Sequence, residues 1–381
     1  MRFQPYPFEK LAALLEDITP SERYAPVALT IGEPQFETPE FIQEMLRESS
    51  PLLRRYPKTS GEEYLRAAMR EFVGKRFGVT LDDAQIIPTF GTREVLFNFP
   101  QYLLFDRAEP VMAFTNPFYQ IYEGAAIASR AKTVLMNLDA ANGFRPELDV
   151  ATMKACDLVI LNFPNNPTAA NMDVAELGRW VELALEHDFV LINDECYSEI
   201  YTGTPPPSLL EASVHVGNRD FKNVLVVNSI SKRSSAPGLR SGFIAGDAAI
   251  LEGYLQYRTY IGCASPLPLQ AAAAAAWKEE SHVADARRVY ARNFELAREI
   301  LGTPVPEATF YVWLEVGDAP AFTRDLYARY NVKVLPGEFL ARDDARGENP
   351  GKGFVRIALV ESEERTQEAL ERIKQCLAER A

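Results

Sequence analysis

At 381 residues, with 47% hydrophobic and 24% charged side chains, the chain has the makeup of a globular protein of two or three domains and is too apolar for extended disorder. A net charge of -13 argues against a nucleic-acid partner, because phosphate backbones call for clustered Lys and Arg, so any basic site must be local. Cys156, Cys196, Cys263 and Cys376 are widely spaced with no C-x-x-C, which suggests neither a zinc site nor a disulfide framework; no metal is expected, and the thiols read as those of a reduced, cytoplasmic protein.

The opening "MRFQPYPFEK" lacks the apolar core of a signal peptide. Residues 1–55 carry one helical stretch, "PEFIQEMLRE", and are too few to stand alone, so they are expected to join a smaller domain. From 56 to 280, short apolar runs alternate with helical patterns, as in an α/β domain whose sheet is mostly parallel and buried on both faces. The strands expected are "QIIPTF", "VMAF", "KTVLMNL", "DLVILNF", "FVLINDE", "VLVVNSIS" and "SGFIAG". The clearest helix is "MDVAELGRWVELALEHD", where Val174, Leu177, Val181 and Leu185 recur at helical spacing. The Ala-rich "LPLQAAAAAAW" is too short to span a bilayer. From 281 to 381 the pattern becomes a long helix, then "TFYVWLEV" and "FVRIALV" around a helix from Phe322 to Tyr330, giving a second, smaller α/β unit. The charged "RDDARGENPGKG" reads as a solvated loop.

In open α/β sheets ligands gather beyond the carboxyl ends of the strands, and the polar residues of this chain stand there. Gly91, Thr92 and Arg93 open a helix after a strand, where free N–H groups suit a phosphate, although many βα turns look the same. "LNFPNNPTAA" also fits an ordinary turn. The strand "FVLIN" runs directly into Asp194 and Glu195; each could meet a cation, end a strand in solvent or cap a helix. Arg356 sits inside an apolar strand, either facing outward or reaching a ligand.

Taken in order, "GEP", "GTR", "NPFY", "NNPT", "DECY", "SISK" with "LR", and "VRIALV" resemble the fold type I aminotransferases of class I/II, over Gly32 to Arg356. The resemblance implies a large domain with a mostly parallel mixed sheet between helices, a smaller α/β domain, and pyridoxal 5′-phosphate (PLP) as cofactor. It makes Lys232 the Schiff-base lysine and places Ser229, Arg240, Gly91, Thr92 and Arg93 about the phosphate. It pairs Asp194 with the pyridine nitrogen, gives Asn166 and Tyr197 to the ring hydroxyl oxygen, and stacks Tyr119 on the ring. Lys232, Asp194 and Tyr197 would carry the catalysis, with Lys232 as general base and acid. Gly32, Asn166 and Arg356 would receive the substrate, Arg356 forking onto its α-carboxylate. Tyr56 would reach the phosphate of a neighbouring subunit, which implies a homodimer with shared sites.

The family usually writes N-P-T-G where this chain has Ala169; if that turn needs a positive φ, alanine costs about 1 kcal/mol. As a whole the chain looks most like bacterial succinyldiaminopimelate aminotransferases of lysine biosynthesis. That implies glutamate as donor and a 2-oxo acid, N-succinyl-2-amino-6-oxopimelate, as acceptor. Aspartate, aromatic or other amino acids stay open, as do a C–S β-lyase of the same fold and a PLP-binding regulator, which would normally carry a basic DNA-binding segment.

Overall fold

A computed structural model describes residues 3–147 and 149–380. Its main sheet has seven strands in the order Ile86–Thr89, Gly242–Gly246, Val224–Ser229, Val190–Asp194, Leu158–Leu161, Val111–Asn116 and Lys132–Asn137. All run parallel except Gly242–Gly246, which is antiparallel to both its neighbours. All seven expected strands are present.

Alternation along the strands builds two cores. Val159, Leu161, Leu191, Val224 and Val226 face one side of the sheet, with Trp180 and Trp277. Leu158, Ile160, Ile192, Leu225 and Val227 face the other, with Phe99 and Tyr122. Because both faces are covered, central strands such as Leu158–Leu161 are buried at every position and read as continuous apolar runs.

Helix Val174–His187 begins at Asp173, whose carboxylate accepts the Glu176 N–H at 2.8 Å while the Glu176 side chain accepts the Asp173 N–H at 2.8 Å. It lays Leu177, Trp180, Val181 and Ala184 on the sheet. Helix Thr92–Leu103 covers the opposite face through Val95, Leu96 and Phe99.

A second, antiparallel sheet runs Leu335–Pro336, Phe354–Ala358, Tyr311–Glu315, and closes a separate core with helices Ser281–Leu301, Ala319–Tyr330 and Glu363–Ala378. The segment 1–55, expected to join this unit whole, divides. Val27–Ala28 pairs with Val332–Lys333 in the smaller core, whereas helix Glu40–Ser49 lies on Leu267–Lys278 and sends Ile42 into the large one. The helix is held there by tertiary packing: Ile42 is its one fully buried residue and joins the cluster that contains Trp277 of helix Leu267–Lys278. Ala169 does adopt a positive φ, 61°, so the turn carries the strain anticipated for a residue with a Cβ. Among the described residues no helix is long and apolar enough to cross a membrane.

The helix Thr92–Leu103 is pinned by a buried ion pair. Arg258, wholly buried, donates to both carboxylate oxygens of Glu94, at 2.9 and 3.2 Å, and to the carbonyls of Pro88 and Cys263. Glu94 also accepts the Phe90 N–H at 3.0 Å, fixing the turn before the helix. Replacing Glu94 with alanine leaves a buried guanidinium without its counter-charge, and urea titration is expected to show stability lower by about 3 kcal/mol. A loss under about 0.5 kcal/mol would mean that the carbonyls alone satisfy Arg258.

Candidate active site

A cavity of about 490 Å³ opens at the carboxyl ends of the central strands. Lys232, Asp194, Tyr197, Asn166, Thr92, Arg93, Tyr119, Ser229, Arg240, Gly32 and Arg356 all line it. Two residues singled out in the sequence do not. Gly91 sits directly behind Arg240, and Tyr56 is fully exposed away from the cavity.

One end of the cavity is made for an anion. Gly91, at φ 73°, turns the chain into helix Thr92–Leu103 and leaves the first N–H groups of that helix free. A Cβ on Gly91 would overlap the Arg240 guanidinium, so only glycine lets the two approach. Arg240 is steadied by the carbonyl of Pro237 at 2.8 Å. Ser229 and Ser231 join hydroxyls at 2.7 Å on the facing side.

Strand Val190–Asp194 delivers its last residue into the cavity and turns the next one away. Asp194 is buried and accepts hydrogen bonds from Tyr122 Oη at 2.8 Å and from the Cys196 N–H at 3.3 Å. Burial pushes its carboxyl above the ordinary range, with the Cys196 and Tyr122 donors opposing. Glu195 is also buried but accepts the Leu209 N–H at 2.7 Å and the Ser208 hydroxyl at 3.1 Å at the start of helix Leu209–His215. The two acids thus resolve differently: Asp194 belongs to the cavity and Glu195 to a helix terminus.

Lys232 projects from the short helix Ile230–Arg233, whose start is capped by Ser229. The next residue holds the orientation: Arg233 packs against the adjoining rings of Phe72 and Trp277 and pairs with Glu280 at 2.6 Å. Lys232 Nζ donates to the carbonyl of Gly32. Burial lowers the amine to about 8.

Arg356 is only 4% exposed, so the outward-facing alternative fails. Its Nη1 donates to Asn166 Oδ1 at 2.8 Å, its Nη2 to the Thr30 carbonyl at 2.6 Å, and Nε has no protein partner. Asn166 is set by Asn162, which accepts its N–H at 3.0 Å and donates to the Asp194 carbonyl at 2.8 Å. Arg93 reaches the cavity, but its guanidinium is engaged by aromatics: Nε donates to Tyr119 Oη at 2.6 Å, and the Tyr119 and Tyr6 rings lie 5.7 and 5.9 Å away.

Sequence reasoning missed Tyr6, Tyr122, Ser231 and Tyr311. Tyr6 arrives with the helix Pro7–Leu15 and Tyr311 from the antiparallel sheet, so no strand-end signal marks either. Tyr122 reads as one apolar position in a helix. Ser231 was legible in principle, as it lies inside "SISK".

The chain matches the family described as aminotransferase class I and II over residues 25–373. It is similar to the aminotransferase AspB of Helicobacter pylori, with a TM-score of 0.95 at 50% identity, covering 98% of this chain and 99% of that one. It is 32% identical to the 4-dedimethylamino-4-oxo-anhydrotetracycline transaminase OxyQ of Streptomyces rimosus, over 91% of this chain and 92% of the relative. It is 30% identical to the LL-diaminopimelate aminotransferase of Moorella thermoacetica, over 92% and 90%.

The cavity holds an amine whose proton is loosened by burial, with Arg356 and Arg240 pushing the same way. Competitive acetylation of the cofactor-free protein, read by peptide mass spectrometry, is expected to show Lys232 gaining reactivity with a midpoint of about 8, because the neutral amine predominates above that pH. A midpoint near that of exposed lysines, about 10.4, would contradict the burial described.

Proposed function

The chain belongs to the class I and II aminotransferases and is therefore a PLP-dependent transaminase, and we propose that it takes its amino group from glutamate and passes it to a 2-oxo acid bearing at least one further carboxylate, such as N-succinyl-2-amino-6-oxopimelate in lysine biosynthesis. The observation that carries this reading is the shared cavity: one buried amine with a lowered proton affinity, one buried carboxylate and three arginines. A diaminopimelate-converting enzyme among the relatives supports a dicarboxylic substrate.

The residues present fit the cofactor. The Arg240 guanidinium, seated in the space that Gly91 leaves without a Cβ, together with Ser229, Ser231 and the Thr92 N–H, suits a phosphate dianion. Asp194 lacks a cationic partner within 4 Å among the described residues, and a ring N–H⁺ would relieve the burial that raises its carboxyl. When bound, the cofactor supplies an aldehyde that takes up the amino group and a ring that accepts the electron pair released at the substrate Cα.

In this reading, Arg356 binds the α-carboxylate bidentately while Asn166 and the Thr30 carbonyl hold its plane. Lys232 would take the proton from the substrate Cα as general base and deliver it, as general acid, to the cofactor carbon that receives the amino group; an amine with its midpoint lowered to about 8 suits both roles. Asp194 would keep the ring nitrogen protonated, and Tyr197 would donate to the ring hydroxyl oxygen. Tyr119 covers the ring face. Arg93, which makes no carboxylate contact within 4 Å among the described residues, is left to receive the distal carboxylate.

Borohydride reduction of the loaded enzyme, followed by peptide mapping, should label Lys232; a label on another lysine overturns the assignment. In an amino-donor panel, Arg356→Ala should lower kcat/KM by roughly 100- to 1,000-fold for every donor, with lysine a poor substitute. Arg93→Gln should lower it by about tenfold for glutamate and hardly at all for alanine. Equal losses for both donors would remove Arg93 from substrate selection.

We propose a homodimer as the working unit. Leu46, Leu53, Pro266, Pro268 and Leu269 line an apolar depression on the surface, Leu53 is 71% exposed and Tyr260 88%, and Tyr56 is fully exposed, which supports an occluding partner. Sedimentation at assay concentration is expected to give a dimer, and Leu53→Asp a monomer with little activity. A fully active monomeric wild type would refute this.

A further inference from the structure

Tyr311 belongs to no motif of the sequence, yet one phenol touches three parts of the cavity. It is 2% exposed, and its hydroxyl lies 3.0 Å from Tyr197 Oη. Its ring carries the Arg356 guanidinium 4.5 Å from the centroid. Its hydroxyl also fills the space beside Gly32, where a Cβ would overlap it, and the Gly32 carbonyl accepts from Lys232.

We infer that Tyr311 is a positioning residue with two separable parts: a hydroxyl that sets how strongly Tyr197 donates, and a ring that sets the plane of Arg356. The inference rests on the reading of Tyr197 as donor to the cofactor's ring hydroxyl oxygen. A phenol has one proton and two lone pairs. If Tyr197 gives its proton to the ring oxygen, the contact between the two tyrosines can only be Tyr311 donating to Tyr197. Tyr311 Oη has no other hydrogen-bond partner among the described residues, so its proton is free for this. Accepting a bond makes Tyr197 a stronger donor. Stronger donation would withdraw charge from the ring oxygen of the bound cofactor and lower the pH at which its absorbance titrates. The ring of Tyr311 acts on a different group, through its face: it supports the guanidinium against tilting while two edge hydrogen bonds fix it laterally.

Tyr311→Phe removes the hydroxyl and keeps the ring; Tyr311→Leu removes both. The readout is the pH midpoint of the bound cofactor's absorbance, with donor KM measured alongside. Phe should raise the midpoint by about half a pH unit, a threefold tighter proton, with KM within about twofold of wild type. Leu should give the same midpoint shift and a KM raised about tenfold. Tyr197→Phe is the reference and should raise the midpoint by about one unit or more. If Tyr197→Phe leaves the midpoint unmoved, the reading of Tyr197 is wrong and the inference goes with it. If Tyr197→Phe moves it while Tyr311→Phe does not, the inference alone is overturned.

Discussion

A carboxylate held dry at the end of a central strand is the constraint on which the rest of the cavity depends. Asp194 ends a strand with parallel neighbours on both sides and is only 4% exposed where it meets the cavity. Burying a carboxylate this way is unfavourable unless donors converge on it. Tyr122 from one helix and the Cys196 amide supply two, and Asn162 fixes the Asp194 backbone from the next strand. The cationic residues then gather on the walls opposite.

The overall acidity of the chain and the basicity of its cavity are compatible because they act at different ranges. Exposed charges are screened within about 10 Å at ordinary ionic strength, whereas groups sharing a buried cavity feel each other directly. The lowering of the Lys232 amine is mostly desolvation, with Arg356 and Arg240 pushing the same way. The net charge governs solubility and the cavity governs chemistry.

Much of this was legible in the sequence where an apolar run stops at a polar residue. The central strands of the large sheet announce themselves by composition because both faces are covered. Asp194, Ser229 and Asn166 stand at or just beyond strand ends. Asp194 and Glu195 show the limit: adjacent letters with identical chemistry, separated only by the pleat, which points one into the cavity and the other to a helix terminus. Tyr311 and Tyr6 were not legible. Each is an aromatic in an apolar context whose role depends on what a distant segment brings to it, and local pattern carries no information on that. The division of residues 1–55 was missed for the same reason, since which core receives Ile42 is a tertiary outcome.

The single antiparallel strand of the large sheet has a consequence for connectivity. Parallel neighbours need a crossover of a dozen or more residues, which carries the chain to the far end of the sheet and back. Because Gly242–Gly246 runs against Val224–Ser229, with Ser229 opposite Gly242, the chain leaves and re-enters the sheet at the same end. Ser229, Lys232 and Arg240 therefore come from one excursion that never departs from the cavity. Closing so short a loop costs little chain entropy, and the contacts are local in sequence. The amine and part of the anion cradle are thus drawn together by a nearest-neighbour strand pairing, while Arg356 and Gly32 reach the cavity through pairings between segments distant in sequence.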